Sequence, residues 1–537
     1  MIEYSPMVKT TNQTARLLMT ELLLVVISLM FGTIGLPAWA KDWPQWGGSP
    51  TRNMVSDELD LPISFNPGRP ELSASGQTEG YKSPDDGIRW AVRLGSHSYG
   101  NTVVADGRVY VGTNDAYLRD SRLQKTRGGL ILCLDEQSGK LLWKLVVPRF
   151  RTTLRDFNYD DMNIGICASV TVEGKRAYVV SNRGEVLCLD VEGQANGNDG
   201  PFTNETQYMS EKKDSDMSLQ ATDGDIVWIY DTIKELPCWP QDASSSAVLV
   251  HGNYLYVGTS NGVDNSHRKV PYPDAPSLIV LDRKTGRLVA QDNENIGRTL
   301  FHGQWSSPCL GVVNGSPYIV YGAGDGLAYA FKPFVNSDHT DQVATLERIW
   351  SCDCNPAAYK SHPYQRGKYR SFHSDFYGEG PSEVIRTPVF HDNRIYVTVG
   401  QDTMHGRGPG ALTCINAENG HIIWQSTDID RSLATVSVVD DLLYVTDYSG
   451  YIHCLDAQTG QHNWKLGTES PLWSSTLVAD GKVFVGTEKR DFWIMQAGKQ
   501  KRVLNKIRFP DKICNTPVVA NGVMYLATER YLYAIGN

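Results

Sequence analysis

A single phrase recurs eight times along this 537-residue chain: a small or Pro residue, a short apolar run, a Gly or Asp turn, then an aromatic-rich run. Its copies occupy 101–113, 168–181, 246–259, 307–322, 387–400, 435–446, 475–487 and 516–528. Turn pairs such as Asp106-Gly107, Asp480-Gly481 and Asn521-Gly522 suit tight hairpins, because these residues tolerate positive φ. The flanking runs alternate in character, as half-buried strands do. A short-strand repeat of roughly forty residues is the mark of a radial or stacked β array.

A second phrase follows many of the hairpins. It runs from Leu130 through Asp135 and Gly139 to Trp143, and again over 412–424 and 452–464. Two hairpins per unit give four antiparallel strands, one blade. The last unit stops after its third strand at Tyr531–Ile535, while Ile88–Val92 precedes the first unit as a lone fourth-strand phrase. The expected fold is therefore all-β: an eight-bladed β-propeller of four-stranded antiparallel blades, closed by an N-terminal strand in the last blade. Closure removes sheet edges, which are otherwise open to pairing.

The chain divides by expectation into a signal peptide (1–40), an N-terminal extension packing on the propeller (41–87), and the propeller itself (88–537). Lys9 and Arg16, the apolar stretch Leu22–Phe31 and the small-x-small site Ala38-Trp39-Ala40 are the signal features. An uncleaved anchor is the alternative. No Cys follows the apolar stretch, which gives no lipid attachment point. The expectation is a periplasmic or secreted protein with no membrane span in the mature chain.

Four polar insertions, 114–129, 191–225, 263–276 and 353–383, read as loops outside the strand lattice. Asn196–Gly200 is oxygen-rich but lacks helix-loop-helix calcium spacing, so a solvated acidic loop is preferred. The net charge of −9 argues against a nonspecific nucleic-acid binder, and the basic, aromatic stretch 360–369 reads as an ordinary loop. Cys133, Cys188, Cys414 and Cys454 fall at one repeated position, where free Cys acts as a small apolar residue. Cys352 and Cys354 stay open between a local disulfide, half a metal site and unpaired thiols.

The residues just before each innermost strand should line one mouth of the channel. They include His97, Tyr99, Asp161, Asn163, Asp242, His302, Gln304, Trp305, Arg386, Trp473 and Asn515. Convergent charged and aromatic groups suit a ligand pocket; they suit strand-to-strand ties equally well. No catalytic triad, phosphate loop or dinucleotide fingerprint is present.

The phrase Asp456–Trp464 resembles the tryptophan docking repeat of quinoprotein-type propellers. The segments 42–50, 260–264, 302–308 and 400–402 make the chain similar to bacterial PQQ-binding-like β-propeller repeat proteins. The resemblance implies eight blades, with Trp90, Trp143, Trp228, Trp350, Trp424 and Trp464 wedged between neighbours; the third and seventh units lack this Trp. It also implies PQQ and Ca2+ as the cofactors of dehydrogenase members, in which Ca2+ polarises the quinone and an Asp is the base. The chain has neither an adjacent Cys pair nor a Cys-x-x-Cys-His haem motif. The resulting reading is a monomeric binding module for a ligand or envelope protein, with no cofactor fixed by its residues. The alternatives are a PQQ- and calcium-dependent alcohol (polyvinyl-alcohol-type) dehydrogenase and a scaffold in outer-membrane protein assembly.

Overall fold

The computed structural model describes residue 1 and residues 41–68, 87–155, 157, 159–211, 217–267, 269–335, 342–360, 381–403 and 409–536. Residues 2–40 and 361–380 therefore lie outside the described residues, and with them the expected signal peptide and the basic stretch after Lys360. Everything below concerns the unit that begins at Asp42.

Eight sheets account for the repeat, each with four antiparallel strands in consecutive order. Numbered along the chain, the blades are 1 (103–147), 2 (171–231), 3 (249–291), 4 (309–353), 5 (389–426), 6 (437–467), 7 (477–508) and 8 (518–535). Blade 8 takes its outermost strand from Ile88–Arg93, which pairs antiparallel with Tyr531–Ile535, Trp90 facing Ala534. Two blades carry a fifth, two-residue strand in parallel pairing: Ala344–Thr345 on blade 3 and Val55–Ser56 on blade 7.

The outer strand pair repeats one packing solution. Trp143 faces Cys133, Trp228 faces Cys188, Trp350 faces Ala330, Trp424 faces Cys414 and Trp464 faces Cys454. A small side chain opposite each indole makes room for it, which explains the repeated cysteines. All ten cysteines are free and buried, Cys352 and Cys354 included. Each indole Nε1 then donates to a backbone carbonyl of the next blade. The acceptors are Glu136 for Trp90 (2.9 Å), Val191 for Trp143 (2.8 Å) and Arg283 for Trp228 (3.2 Å). Ala417 serves Trp350 (2.8 Å), Ala457 serves Trp424 (3.1 Å) and Gly498 serves Trp464 (2.9 Å).

Under the Trp424 ring lies Gly460, whose φ is +73° and whose Cβ, if it had one, would lie 2.5 Å from the indole. That turn accepts only glycine, for both sterics and backbone. In blades 3 and 7 the equivalent pairs are Val280–Ala290 and Ile494–Asn505, so those two junctions lack the indole wedge.

The insertions are partly structured. Asp115–Tyr117 and Gly193–Asn196 form 3-10 turns, and Glu205–Ser210 and Ala357–Lys360 are short helices. The purely looped expectation for 191–225 thus gives way to a helix whose Glu205 and Met209 are buried.

Residues 42–58 form a strap that makes a circuit of the ring. Trp43 exchanges 2.9 Å backbone bonds with Val104 of blade 1, and the Pro44 carbonyl accepts from Val172 N just inside blade 2. Pro50 O accepts from Leu310 of blade 4, Thr51 O from Phe390 of blade 5, and Met54 O from Val478 of blade 7. The Asn53 amide is doubly bonded to the Val438 backbone of blade 6. Glu58 accepts from Gly522 N and Asp42 from Asn521 Nδ2, both in the turn of blade 8.

Blade 3 is reached by a side chain. Arg52 is fully buried; its Nη2 donates to Val248 O, its Nε to Pro308 O, and its Nη1 to Trp46 O and Gln45 Oε1, all at 2.9–3.0 Å. The strap thus bonds along the innermost strands and to turns at their far ends, while Arg52 and Trp46 reach the blade-start residues Val248, Pro308 and Arg386.

Candidate functional site

The site is built on a register shared by all blades. Two residues ahead of the innermost strands of blades 1, 4, 7 and 8 sits a side chain that ties neighbouring blades. Ser307 Oγ accepts from Ala247 N (2.9 Å) and Ser475 Oγ from Thr435 N (2.9 Å). Thr516 Oγ1 accepts from Ser475 N (3.0 Å), and Asn101 Oδ1 from Thr516 N (2.8 Å). The small polar residue that opens the repeated phrase is therefore a blade-to-blade acceptor, which satisfies backbone N–H groups that no ladder reaches.

The next position outward is Gly100, Ala168, Ser246, Ser306, Ala434, Ser474 and Asn515 in seven blades, and Arg386 in the fifth. One step further stand Tyr99, Cys167, Ser245, Trp305, Ile385, Leu433, Trp473 and Cys514.

The structure sorts the expected mouth residues into three groups. The first joins blades 6, 7, 8 and 1. Tyr99 packs edge-on to Trp473 with centroids 6.2 Å apart, and Trp473 packs edge-on to Tyr448 at 5.6 Å. His97 Nε2 lies 3.6 Å from Glu529 Oε1, which also pairs with Lys512 at 3.2 Å. Burial raises the pKa of Tyr99 and of Glu488.

The second group is a buried knot between blades 3 and 4. His302 is fully buried; its Nε2 lies 3.2 Å from the Gln241 amide, its ring stacks on His267 at 4.7 Å, and Trp305 meets it edge-on at 5.2 Å. Trp305 Nε1 donates to Gln241 O at 3.2 Å, and Asp242 Oδ1 accepts from the Gln241 amide at 2.8 Å.

The third group forms walls. Gln304 is buried and donates to Asn261 O and Ser277 Oγ, both at 2.9 Å. Asn515 is buried and donates to Ser98 O at 2.9 Å. Asn163 O accepts from Asn114 at 2.7 Å, and Asp161 is exposed and paired with Arg149. The side chains of Gln304, Asn515 and His302 are buried and reach across to residues of the neighbouring blade.

Arg386 stands apart. Its Nε donates to Leu433 O at 2.8 Å, and its guanidinium carbon lies 6.0 Å from the centre of the Trp46 ring, which rises from the strap. Trp46, Cys167 and Cys514 were not expected at the site. Aligning the blade starts would have exposed Arg386 as the one large cation in a column of small residues. Nearby, burial pushes the Asp160 carboxyl up to about 7, opposed by hydrogen bonds from Asn182 and Phe150 N.

Comparison with known proteins places this geometry in a family. A family model described as "Outer membrane protein assembly factor BamB" matches residues 79–300 and 408–503, together more than half of the chain. The chain belongs to this family. An outer membrane protein assembly factor BamB from Shewanella oneidensis is 32% identical over 73 residues, a stretch that is 13% of this chain and 18% of that relative. The chain therefore aligns with less than a fifth of that relative's length. Among solved structures, BamB from Moraxella catarrhalis superposes with a TM-score of 0.53 at 13% identity, covering 84% of this chain and 99% of that one. Quinohemoprotein alcohol dehydrogenase from Comamonas testosteroni superposes with a TM-score of 0.56 at 13% identity, covering 92% and 81%. At such identity these likenesses speak for the propeller fold alone.

A Ca2+-bound quinone needs a cluster of oxygen ligands, mostly carboxylates. Among the described residues no three His, Cys, Asp or Glu side chains converge as a metal-holding group. The described residues thus offer no carboxylate cluster for such a unit. No described helix is long and apolar enough to cross a membrane.

Proposed function

We propose that this PQQ-repeat propeller is a monomeric binding module of the cell envelope, engaging a ligand or protein partner through the blade-start end of its ring. The observation that carries the reading is the strap. Residues 42–58 bond along the innermost strands and, through Asp42 and Glu58, to turns of blades 1 and 8, so that the strap takes up the turn-side end of the ring. A partner is left with the end where His97, Tyr99, Trp473, Asp161 and Met162 lie. Loops on one face of a rigid scaffold are a common place for recognition, and aromatic residues with charged neighbours are enriched at contact surfaces. Family membership supports an envelope setting, and the assembly role printed for the BamB relatives makes an unfolded or partly folded envelope protein a candidate partner.

The test is site-specific photo-crosslinking in envelope extract. A crosslinker at Met162, which is 56% exposed, is expected to give a discrete adduct. One at Leu141, on the outer strand of blade 1, serves as the control. Equal labelling at the two positions, or none at Met162, refutes the reading. Retention of PQQ with Ca2+ through gel filtration, together with alcohol-dependent dye reduction, would favour the dehydrogenase alternative.

A further inference from the structure

Arg386 carries a charge with no counterion among the described residues. Among the described residues no carboxylate lies within ion-pair distance of it, and Nε is the one guanidinium nitrogen with a protein acceptor. Its electrostatic neighbours are the thiols of Cys167 and Cys514. Burial pushes both thiols up to about 12, so at neutral pH they are uncharged and offset nothing. A cation withdrawn from water is costly unless paired. The other blades avoid that cost by placing a small residue or Asn at the same register.

The surroundings suit a guest. The Tyr99 hydroxyl has no hydrogen-bond partner among the described residues, and the same two thiols lie within its electrostatic reach. The Trp46 ring lies on the strap side of Arg386, and Trp473 packs against Tyr99. Two free guanidinium nitrogens form the planar fork that recognises paired oxygens of a carboxylate or phosphate.

We propose that Arg386 anchors a small organic oxyanion, a carboxylate or a phosphate ester, in the channel over Trp46, with the Tyr99 hydroxyl as a second donor and Trp473 as an apolar wall. The proposal rests on the binding-module reading and names the chemistry of its ligand.

Titration calorimetry and tryptophan fluorescence at low salt test it, with benzoate, phenyl phosphate and neutral benzamide as probes. Benzoate, phenyl phosphate or both should bind, and benzamide should bind about tenfold more weakly or not at all. Losing a buried charge-assisted contact predicts an affinity drop of about 100-fold for Arg386→Met. Arg386→Lys, which keeps charge but not the fork, should lose about tenfold. Tyr99→Phe should weaken binding about threefold, as expected for one modest hydrogen bond. The ligand-free melting temperature of Arg386→Met should equal or exceed that of the natural protein, since a half-buried charge without an ion-pair partner among the described residues has been removed.

Binding that persists in Arg386→Met, or failure of both anions to bind, overturns the proposal. Preference between the two anions assigns carboxylate or phosphate ester. Crosslinking at Met162 is scored separately: adducts there without anion binding keep the binding module and discard this site alone.

Discussion

Arg52 is the strap's principal fastening, and its removal has a calculable effect. The side chain makes four hydrogen bonds, to Pro308 O, Val248 O, Trp46 O and Gln45 Oε1. Bonds from a charged donor contribute about 1.5 kcal/mol each at the lower end, or about 6 kcal/mol together. Against this, burial lowers the Arg52 pKa to about 10. At about 1.4 kcal/mol per tenfold change in the proton equilibrium, that opposes the charged form by about 3 kcal/mol. Arg52→Ala should therefore cost about 3 kcal/mol net. Unfolding entropy near 2.1 cal/mol/K per residue gives a chain of this size about 1 kcal/mol per kelvin, so the melting temperature should fall by about 3 °C. The local effect should exceed the global one. Limited proteolysis should cut within 42–60 well before any blade in the variant, while the natural strap stays protected. An unchanged melting temperature with an equally protected strap would refute the assignment of Arg52 as its fastening. Arg52→Lys, which has a single nitrogen in place of three, should fall between.

Gly460→Ala should destabilise more than Trp424→Phe. The first adds a Cβ 2.5 Å from the indole at φ +73°; the second loses one bond to Ala457 O, worth about 1 kcal/mol. Paired thermal melts rank them. Asp160 has a carboxyl pKa raised to about 7 by burial, so its contribution to stability is complete below its ordinary pKa and is lost as pH rises through 7. Asp160→Asn should flatten the decline in melting temperature between pH 4 and pH 7; an unchanged slope counts against this. The ten buried thiols should resist a thiol reagent in native buffer and all react in guanidinium. Cleavage after Ala40, read by N-terminal sequencing of envelope-fraction protein, should leave Lys41 first; retention of residues 1–40 favours the uncleaved anchor.

The blades were legible because each strand and turn is dictated by neighbours a few residues away. Asp106-Gly107 turns and the Asp456–Trp464 phrase carry their meaning locally. The eight sheets follow from them, and so does the spare strand at Ile88 that pairs with the last blade. The mouth was legible only as a list. Whether Gln304 or Trp473 reaches solvent depends on a register between blades and on which backbone groups lack partners, neither of which appears along one strand. The strap was nearly invisible. Residues 42–58 have no period, and their partners lie as far away as Asn521. A lone Arg52 says nothing of the two carbonyls it joins on separate blades. The cysteines are the converse case: their repetition was plain, while its cause, an indole directly across the ladder, required the pairing.

The strap also constrains the order of assembly. Its residues precede all eight blades in the chain, yet Glu58 and Asp42 bond to a turn of the eighth. The strap can seat on blades 1 to 7 as each forms, but its two ends meet only when the Asn521-Gly522 turn arrives to bond Asp42 and Glu58, so the strap records whether the ring has been completed.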